Sequence, residues 1–321
     1  MPVWEGMRDW TAGPAAAARI ALAELRLARR VPADVDAVLV GYPGQPDVPA
    51  ARRAARGRPV VFDALVSLHE TLVEDRRRFR PGSLAAQALL ALDRAALRSA
   101  DLVVADTQAN AEFLAALADL PPGRVEVCLV GAEDRLFWPG WSSTEPWTCL
   151  FVGKLIPLHG LETILAAARL APELPFRVVG SGQLEALLAD RPANVEWVRW
   201  VEYDGLPREL HRAGCALGVF GRSPKAARVI PNKAYQALAC GTPLVTAATP
   251  AARELLVDCE SALLVPPGDP DALAAVLRRL RDDAALAARV AAGGRAVYEE
   301  RASEAVLGAR WRTLFERLCG T

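Results

Sequence analysis

Short, almost uninterrupted apolar runs recur along this chain, separated by longer Ala/Leu/Arg-rich segments in which apolar positions return every three or four residues. The runs fall at 36–42, 59–63, 101–106 and 125–130, and again at 147–153, 175–180, 195–200, 216–220, 243–247 and 261–266. They are short and β-branched and do not alternate with polar residues, which predicts parallel strands covered on both faces. The intervening segments predict helices, among them 84–99, 108–119, 161–171, 232–240, 270–281 and 283–300. Regular alternation of the two element types means doubly wound α/β sheets. A Pro/Gly/Ser/Thr-rich stretch, "WPGWSSTEP" at 138–146, interrupts the pattern before it restarts.

That interruption is read as a hinge between a first domain over 1–140 and a second over 147–302, with a last helix at 303–321 expected to cross back to the first domain. Sheets of this kind bind ligands where loops leave the carboxyl ends of the strands, so the site is expected in the cleft between the domains. The front of the chain departs from the pattern. A basic amphipathic helix at about 14–31 precedes the first clear strand, whereas a doubly wound domain begins with strand, Gly-rich turn and helix. The first domain is therefore expected to be incomplete, with one βα unit, about 30–40 residues, lying upstream.

Composition narrows the function classes. Apolar residues make up 52% of the 321 and charged residues 24%, the profile of a globular protein. Lys+Arg and Asp+Glu are equal at 38 each, so no global field favours nucleic acid. The richness in Ala, Arg and Pro fits a high-GC bacterial genome. Six cysteines lie scattered without a C-x-x-C pair, four of them in apolar runs, and are read as buried reduced thiols of a cytoplasmic protein. The first ten residues do not form a signal peptide, and no run approaches the about 20 apolar residues of a membrane span. His69, His159 and His211 are too scattered to make a metal motif, and no metal or cofactor is expected.

The chemistry is concentrated in the second half. In "FVGKLIPLHGLETIL" (151–165), Gly153 permits a tight turn at a strand end, Lys154 supplies a cation, and His159–Gly160 open a helix. A diphosphate needs such a cation and the free N–H groups of a helix start. An ordinary strand–helix turn with a solvated lysine is the alternative. "VVGSGQLEALL" (178–188) carries Gly180 and Gly182, but Glu185 stands where a dinucleotide fingerprint needs its third glycine, so a tight turn is the better reading. In "SPKAARVIPNKAYQALACGTP" (223–243), a basic loop leads to Pro231–Asn232 as helix entry, with Asn232 the expected N-cap and Gly241 the stop. Lys225, Arg228 and Lys233 gather near that helix start, where the macrodipole disfavours cations unless an anion lies among them.

Taken in order, "FVGKL…HGLETIL", "VVGSG", "PNKAYQALACGTPLVTA", "PAARELL" and "ALLVPPGDPDALA" resemble the carboxyl-terminal domain of retaining glycosyltransferases of the GT-B fold, family 4 (glycosyl transferases group 1). "VGAEDRLFWP" at 130–139 is similar to that family's exit from the first domain. The resemblance implies two Rossmann-like domains and a nucleoside-diphosphate sugar donor. It also implies transfer without a protein nucleophile or a metal, driven by electrostatic stabilisation of the leaving diphosphate. It assigns Lys154 to the donor phosphates, with His159 where the family usually has a second lysine, and Gly153, Gly160, Gly180 and Gly182 to the donor loops. Asn232 and Lys233 would sit nearest the phosphates. The family's Glu-x7-Glu pair falls on Arg228 and Gln236, neither of them acidic. Gln236 keeps an amide oxygen able to accept from ribose hydroxyls. Arg228 cannot reproduce the sugar contact of the first glutamate.

In the first half, Asp63 follows a strand and is the leading acceptor-side candidate, a loop-ordering carboxylate being the alternative. Arg76, Arg77, Arg78 and Arg80 precede an apolar helix and read either as a solvated loop or as a peripheral contact with an anionic membrane surface or lipid-linked acceptor. The expected function is therefore transfer of a sugar to a glycan, a lipid-linked or a small-molecule acceptor at the inner face of the membrane or in the cytoplasm. A catalytically silent sugar-nucleotide-binding module and a sugar-nucleotide epimerase stand as alternatives.

Overall fold

A computed structural model describes residues 34–142 and 147–320. The predicted helix at 14–31 and part of the 138–146 stretch lie outside the described residues. The chain divides into two compact units. One takes the described residues up to Ala105, then Asn110–Cys128 and the segment from Trp311; the other takes Asp106–Ala109 and Leu129–Arg310.

The first unit is built on a parallel sheet of β1 (Val38–Val40), β2 (Val60–Asp63), β3 (Leu102–Ala105) and β4 (Val125–Val127), in that order. Its core includes Val60, Phe62, Leu97, Val103 and Leu114, all at most 2% exposed, as a strand covered on both faces requires. Helix α1 (Val48–Ala54) follows β1. Helix α2 (Leu84–Ser99) starts on Ser83, whose side chain accepts from the Ala86 amide. Buried Asp93 of α2 accepts from the Ser67 hydroxyl and from the amides of Leu68 and His69, and so fixes the loop that leaves β2. A helical turn, Glu70–Asp75, follows that loop. Helix α3 (Gln108–Ala118) joins β3 to β4.

The second unit carries a six-stranded parallel sheet in the order β10-β9-β8-β5-β6-β7. The strands are β5 (Cys149–Val152), β6 (Phe176–Val179), β7 (Val195–Val198), β8 (Cys215–Leu217), β9 (Leu244–Ala247) and β10 (Leu263–Val265). Between them run α4 (Leu161–Leu170), α5 (Leu206–Arg212), α6 (Pro224–Arg228), α7 (Asn232–Cys240) and α8 (Pro250–Leu255). Helices α9 (Pro270–Asp282), α10 (Ala284–Arg301) and α11 (Glu304–Cys319) complete the chain. Helix α9 buries Leu273, Ala274, Leu277 and Leu280, the spacing of one helical face, and starts on Asp269, which accepts from Ala272. Phe151, Phe176 and Phe220 are at most 1% exposed in the same core, each contributing about 1.5–3 kcal/mol by burial.

The direction of winding reverses between β5 and β8, which pair directly, Cys149 opposite Cys215. A crevice opens beyond the carboxyl ends of strands at such a switch point. Here the loops leaving it are 153–160 from β5 and 218–223 from β8.

Candidate functional site at the sheet switch point

The turns after β5 and β6 are packed backbone on backbone. The Gly153 amide donates to Val179, Leu155 to Ser181, and Leu184 back to Leu155. Gly180 and Gly182 have φ of +144° and +152°, a region that L side chains rarely adopt. A Cβ on Gly180 would collide with the Gly153 carbonyl, and one on Gly182 would come within 2.9 Å of Leu155 backbone atoms. These two glycines therefore make room for the neighbouring turn. Glu185 closes the same loop, since its carboxylate accepts from the Gly182 amide at 2.9 Å and pairs with Arg199. The bond from Gly182, with Arg199 behind it, holds that carboxyl below its usual range. The position that denies the dinucleotide fingerprint thus places an anion where such a fingerprint would receive one.

Residues Pro157–His159 form a short helical turn, and Gly160 (φ 70°, ψ 42°) then starts α4 with no side-chain cap. A Cβ at Gly160 would lie 2.6 Å from the Phe220 carbonyl carbon, so this turn rests on the loop leaving β8. The buried His159 ring meets Phe151 edge-on with centroids 5.6 Å apart, and its Nδ1 donates to the Lys154 carbonyl at 2.5 Å. Lys154 itself is exposed at the mouth of the turn.

The expected basic loop is in fact two short elements. Ser223 caps α6, which carries Lys225 and Arg228, and α7 follows after an extended Val229. Asn232 does not cap α7. Pro231 (φ −74°, ψ 151°) is the cap residue, and Asn232 is the first helical residue. The buried Ile230 anchors the chain just upstream, and this fixes where the helix begins. No side chain caps α7, whereas Ser223, Thr249, Asp269 and Asp283 each cap the helices they precede. At the far end Gly241 (φ 71°) stops α7 as expected.

Lys233 is the unusual residue. It is 9% exposed, and its Nζ lies 3.8 Å from the centroid of the Phe151 ring. Nζ also fills the space beside Gly153, 2.8 Å from where a Cβ on that residue would sit. No group among the described residues hydrogen-bonds to it. Burial alone pushes its pKa well below the ordinary lysine value. A ring contact returns about 2 kcal/mol to a desolvated ammonium, against several for removing that charge from water, so it offsets the burial only in part. Gln236, one helical turn on, lines with Lys233 a pocket walled by Leu150, Val152, Leu206, Leu210 and Ala216. Burial lowers the pKa of the half-buried Arg228 as well.

The second unit thus brings Gly153, Lys154, His159, Gly160, Gly180, Gly182, Asn232, Lys233 and Gln236 to the loops around one switch point, with Arg228 on the segment leading in. Asp63 belongs to the first unit, at the end of β2, where burial raises its pKa. The sequence does not single out Phe151, which forms the floor under Lys233, because an aromatic in a strand reads as core. Among the described residues no group of three His, Cys, Asp or Glu could hold a metal ion. None of the helices described is long and apolar enough to cross a membrane.

The family described as glycosyl transferases group 1 matches residues 146–283. The D-inositol 3-phosphate glycosyltransferase 1 of Catenulispora acidiphila is 31% identical over 293 residues, covering 82% of this chain and 68% of that protein. The D-inositol 3-phosphate glycosyltransferase of Thermomonospora curvata is 30% identical over 240 residues, covering 60% and 52%. The chain spans about half to two thirds of the length of such relatives. Among solved structures, sucrose-phosphate synthase from Thermosynechococcus elongatus shares the fold with a TM-score of 0.77 at 18% identity, over 96% of this chain and 82% of that one. Anabaena HepE, solved in complex with UDP-glucose, superposes with a TM-score of 0.69 at 18% identity, over 94% and 84%.

Proposed function

Because this chain belongs to the glycosyl transferases group 1, with the GT-B fold, we propose that it moves a sugar from a nucleoside-diphosphate donor to an acceptor with retention at the anomeric carbon. The observation that carries the reading is Lys233, a buried amine without a hydrogen-bond partner among the described residues, at the start of an uncapped helix. An anion in the switch-point crevice satisfies at once the amine, the helix start and the exposed Lys154. The bound UDP-glucose of the HepE structure makes a nucleoside-diphosphate sugar the natural choice for that anion.

In this reading the leaving diphosphate takes up the negative charge as the anomeric bond breaks, and Lys154, Lys233 and the starts of α4 and α7 stabilise it. The acceptor hydroxyl attacks the same face and passes its proton to the departing phosphate oxygen. Gln236 accepts from the ribose hydroxyls, and Asn232 and the Gly160 turn line the phosphates. Asp63 orients the acceptor, a glycan, a lipid-linked sugar or a small polyol. Exposed Arg77, Arg78 and Arg80, followed by Leu84 at 85% exposure, would hold the protein against an anionic lipid surface. The test is a panel of nucleoside-diphosphate sugars and acceptors, with the anomeric configuration of the product read by NMR. Inverted product overturns the retaining assignment, and nucleotide binding with neither transfer nor hydrolysis overturns the enzyme.

That second outcome is the silent-module reading. One observation favours it: Arg228 and Gln236 stand where the resemblance would place carboxylates, so the site as folded lacks the acidic pair.

A further inference from the structure

The surroundings of Lys233 imply a charge change on binding. Phe151 and the Gly153 backbone face its Nζ from β5, the His159 imidazole lies beside them on the following turn, and Gln236 is the polar neighbour on its own helix. Among the described residues no carboxylate hydrogen-bonds to it. Lys154, the neighbour of Gly153 in the chain, is exposed, and Lys225 and Arg228 lie on α6. His159 donates its Nδ1 proton to the Lys154 carbonyl. A protonated Lys233 would therefore be an uncompensated buried charge in the free protein, and a diphosphate would be its first counter-ion.

We propose that Lys233 rests as a neutral amine in the free protein and takes one proton from solvent when a nucleoside diphosphate binds, so that donor binding is coupled to proton uptake. The step is Lys233–NH2 plus a solvent proton giving Lys233–NH3+, with no bond made or broken in the ligand. It deepens the donor assignment made above and rests on it. By linkage, affinity is highest where the free site is already protonated, and it falls as pH rises from the free-site pKa to that of the complex. The neutral state also explains how Lys233 can sit at a helix start that disfavours cations.

Calorimetric titration of the 321-residue chain with UDP, GDP and ADP tests this between about pH 7.5 and 9, where free histidine is neutral and a terminal phosphate fully ionised. Each titration is run in two buffers of different ionisation heat. The expected result is uptake approaching about one proton per nucleotide, absent in Lys233→Arg, whose guanidinium is charged throughout. Binding with the same heat in both buffers overturns the inference and leaves the donor reading standing. Uptake that persists in Lys233→Arg also overturns it by moving the proton elsewhere. If none of the three nucleotides binds, the donor reading fails and takes this inference with it. Should Lys233→Arg not fold, the wild-type affinity decides alone, since pH-independent binding over that range sinks the coupling.

Discussion

Gly180 packs its Cα face directly onto the Gly153 carbonyl, so that the turns leaving β5 and β6 form one double-layered backbone shelf. Lys154 and His159 project from the first layer, and Glu185 ties down the second. The shelf positions the candidate phosphate site without any side chain between its layers.

Gly180→Ala is therefore expected to cost stability. The new methyl meets backbone, which cannot rotate away, and the residue must hold φ near +144°. Strain of about 1–3 kcal/mol and overpacking of similar size point to a loss of about 2–4 kcal/mol. Urea denaturation checks it; a midpoint equal to wild type means the turns are not packed this way. Gly57→Ala, also at positive φ but with open space around it, separates strain from collision.

Lys154→Ala should separate stability from turnover. The side chain is exposed, so the melting temperature should barely move. Loss of one donor to a leaving oxyanion typically lowers kcat by about 100- to 1,000-fold. Initial rates with the preferred sugar nucleotide give the answer, and unchanged turnover removes Lys154 from the phosphate site.

Gln236→Ala should weaken nucleotide binding by roughly tenfold, the equivalent of one hydrogen bond of about 1–1.5 kcal/mol. The comparison to make is UDP against inorganic pyrophosphate. A ribose contact predicts weaker UDP binding with pyrophosphate unaffected, and equal losses for both ligands would place Gln236 elsewhere.

How much of this is legible in the sequence differs by residue. The ten strands among the described residues stand where continuous apolar runs predict them, because a parallel strand buried on both faces leaves a clear signature. Gly153, Lys154, Gly160 and Gly241 are readable from turn and cap chemistry, which is local. Cap preference misplaces Asn232 because it ignores the buried Ile230 that sets the start of the helix. Lys233 is legible as a cation at a helix start but not as a buried one. Its burial depends on Phe151 and Gly153, some eighty residues away in sequence, and no local pattern encodes that contact.

Lys233→Met should stabilise the folded chain. Methionine fills a similar volume over the Phe151 ring and removes an unsatisfied buried polar group, a gain of about 1–3 kcal/mol. The pH dependence carries a sign. The folded pKa of Lys233 is depressed, so between it and the unfolded value of 10.5 the unfolded state holds one more proton, and wild-type stability rises with pH across that window. The advantage of methionine must therefore shrink as pH climbs towards 10.5. Melting curves at a series of pH values check this, and an advantage that grows with pH refutes the buried-amine assignment.

Asp63 poses the same question with the opposite charge. It ends β2 half-buried, its pKa is raised by burial, and no described group hydrogen-bonds its carboxylate. A carboxyl held this way destabilises the fold once ionised. With the folded pKa above the unfolded 3.8, the folded state holds the extra proton between the two values, and wild-type stability falls as pH rises through that window. Asp63→Asn is isosteric and lacks that titration. It should gain stability relative to wild type as pH rises from about 4, then hold a constant lead at neutral pH. A strand-end carboxylate kept at such a cost fits a residue retained for its chemistry rather than for folding. The same variant should then raise the KM for the acceptor while leaving nucleotide affinity unchanged. If Asp63 only orders its loop, the variant would instead lose stability at neutral pH, and the acceptor KM would not move.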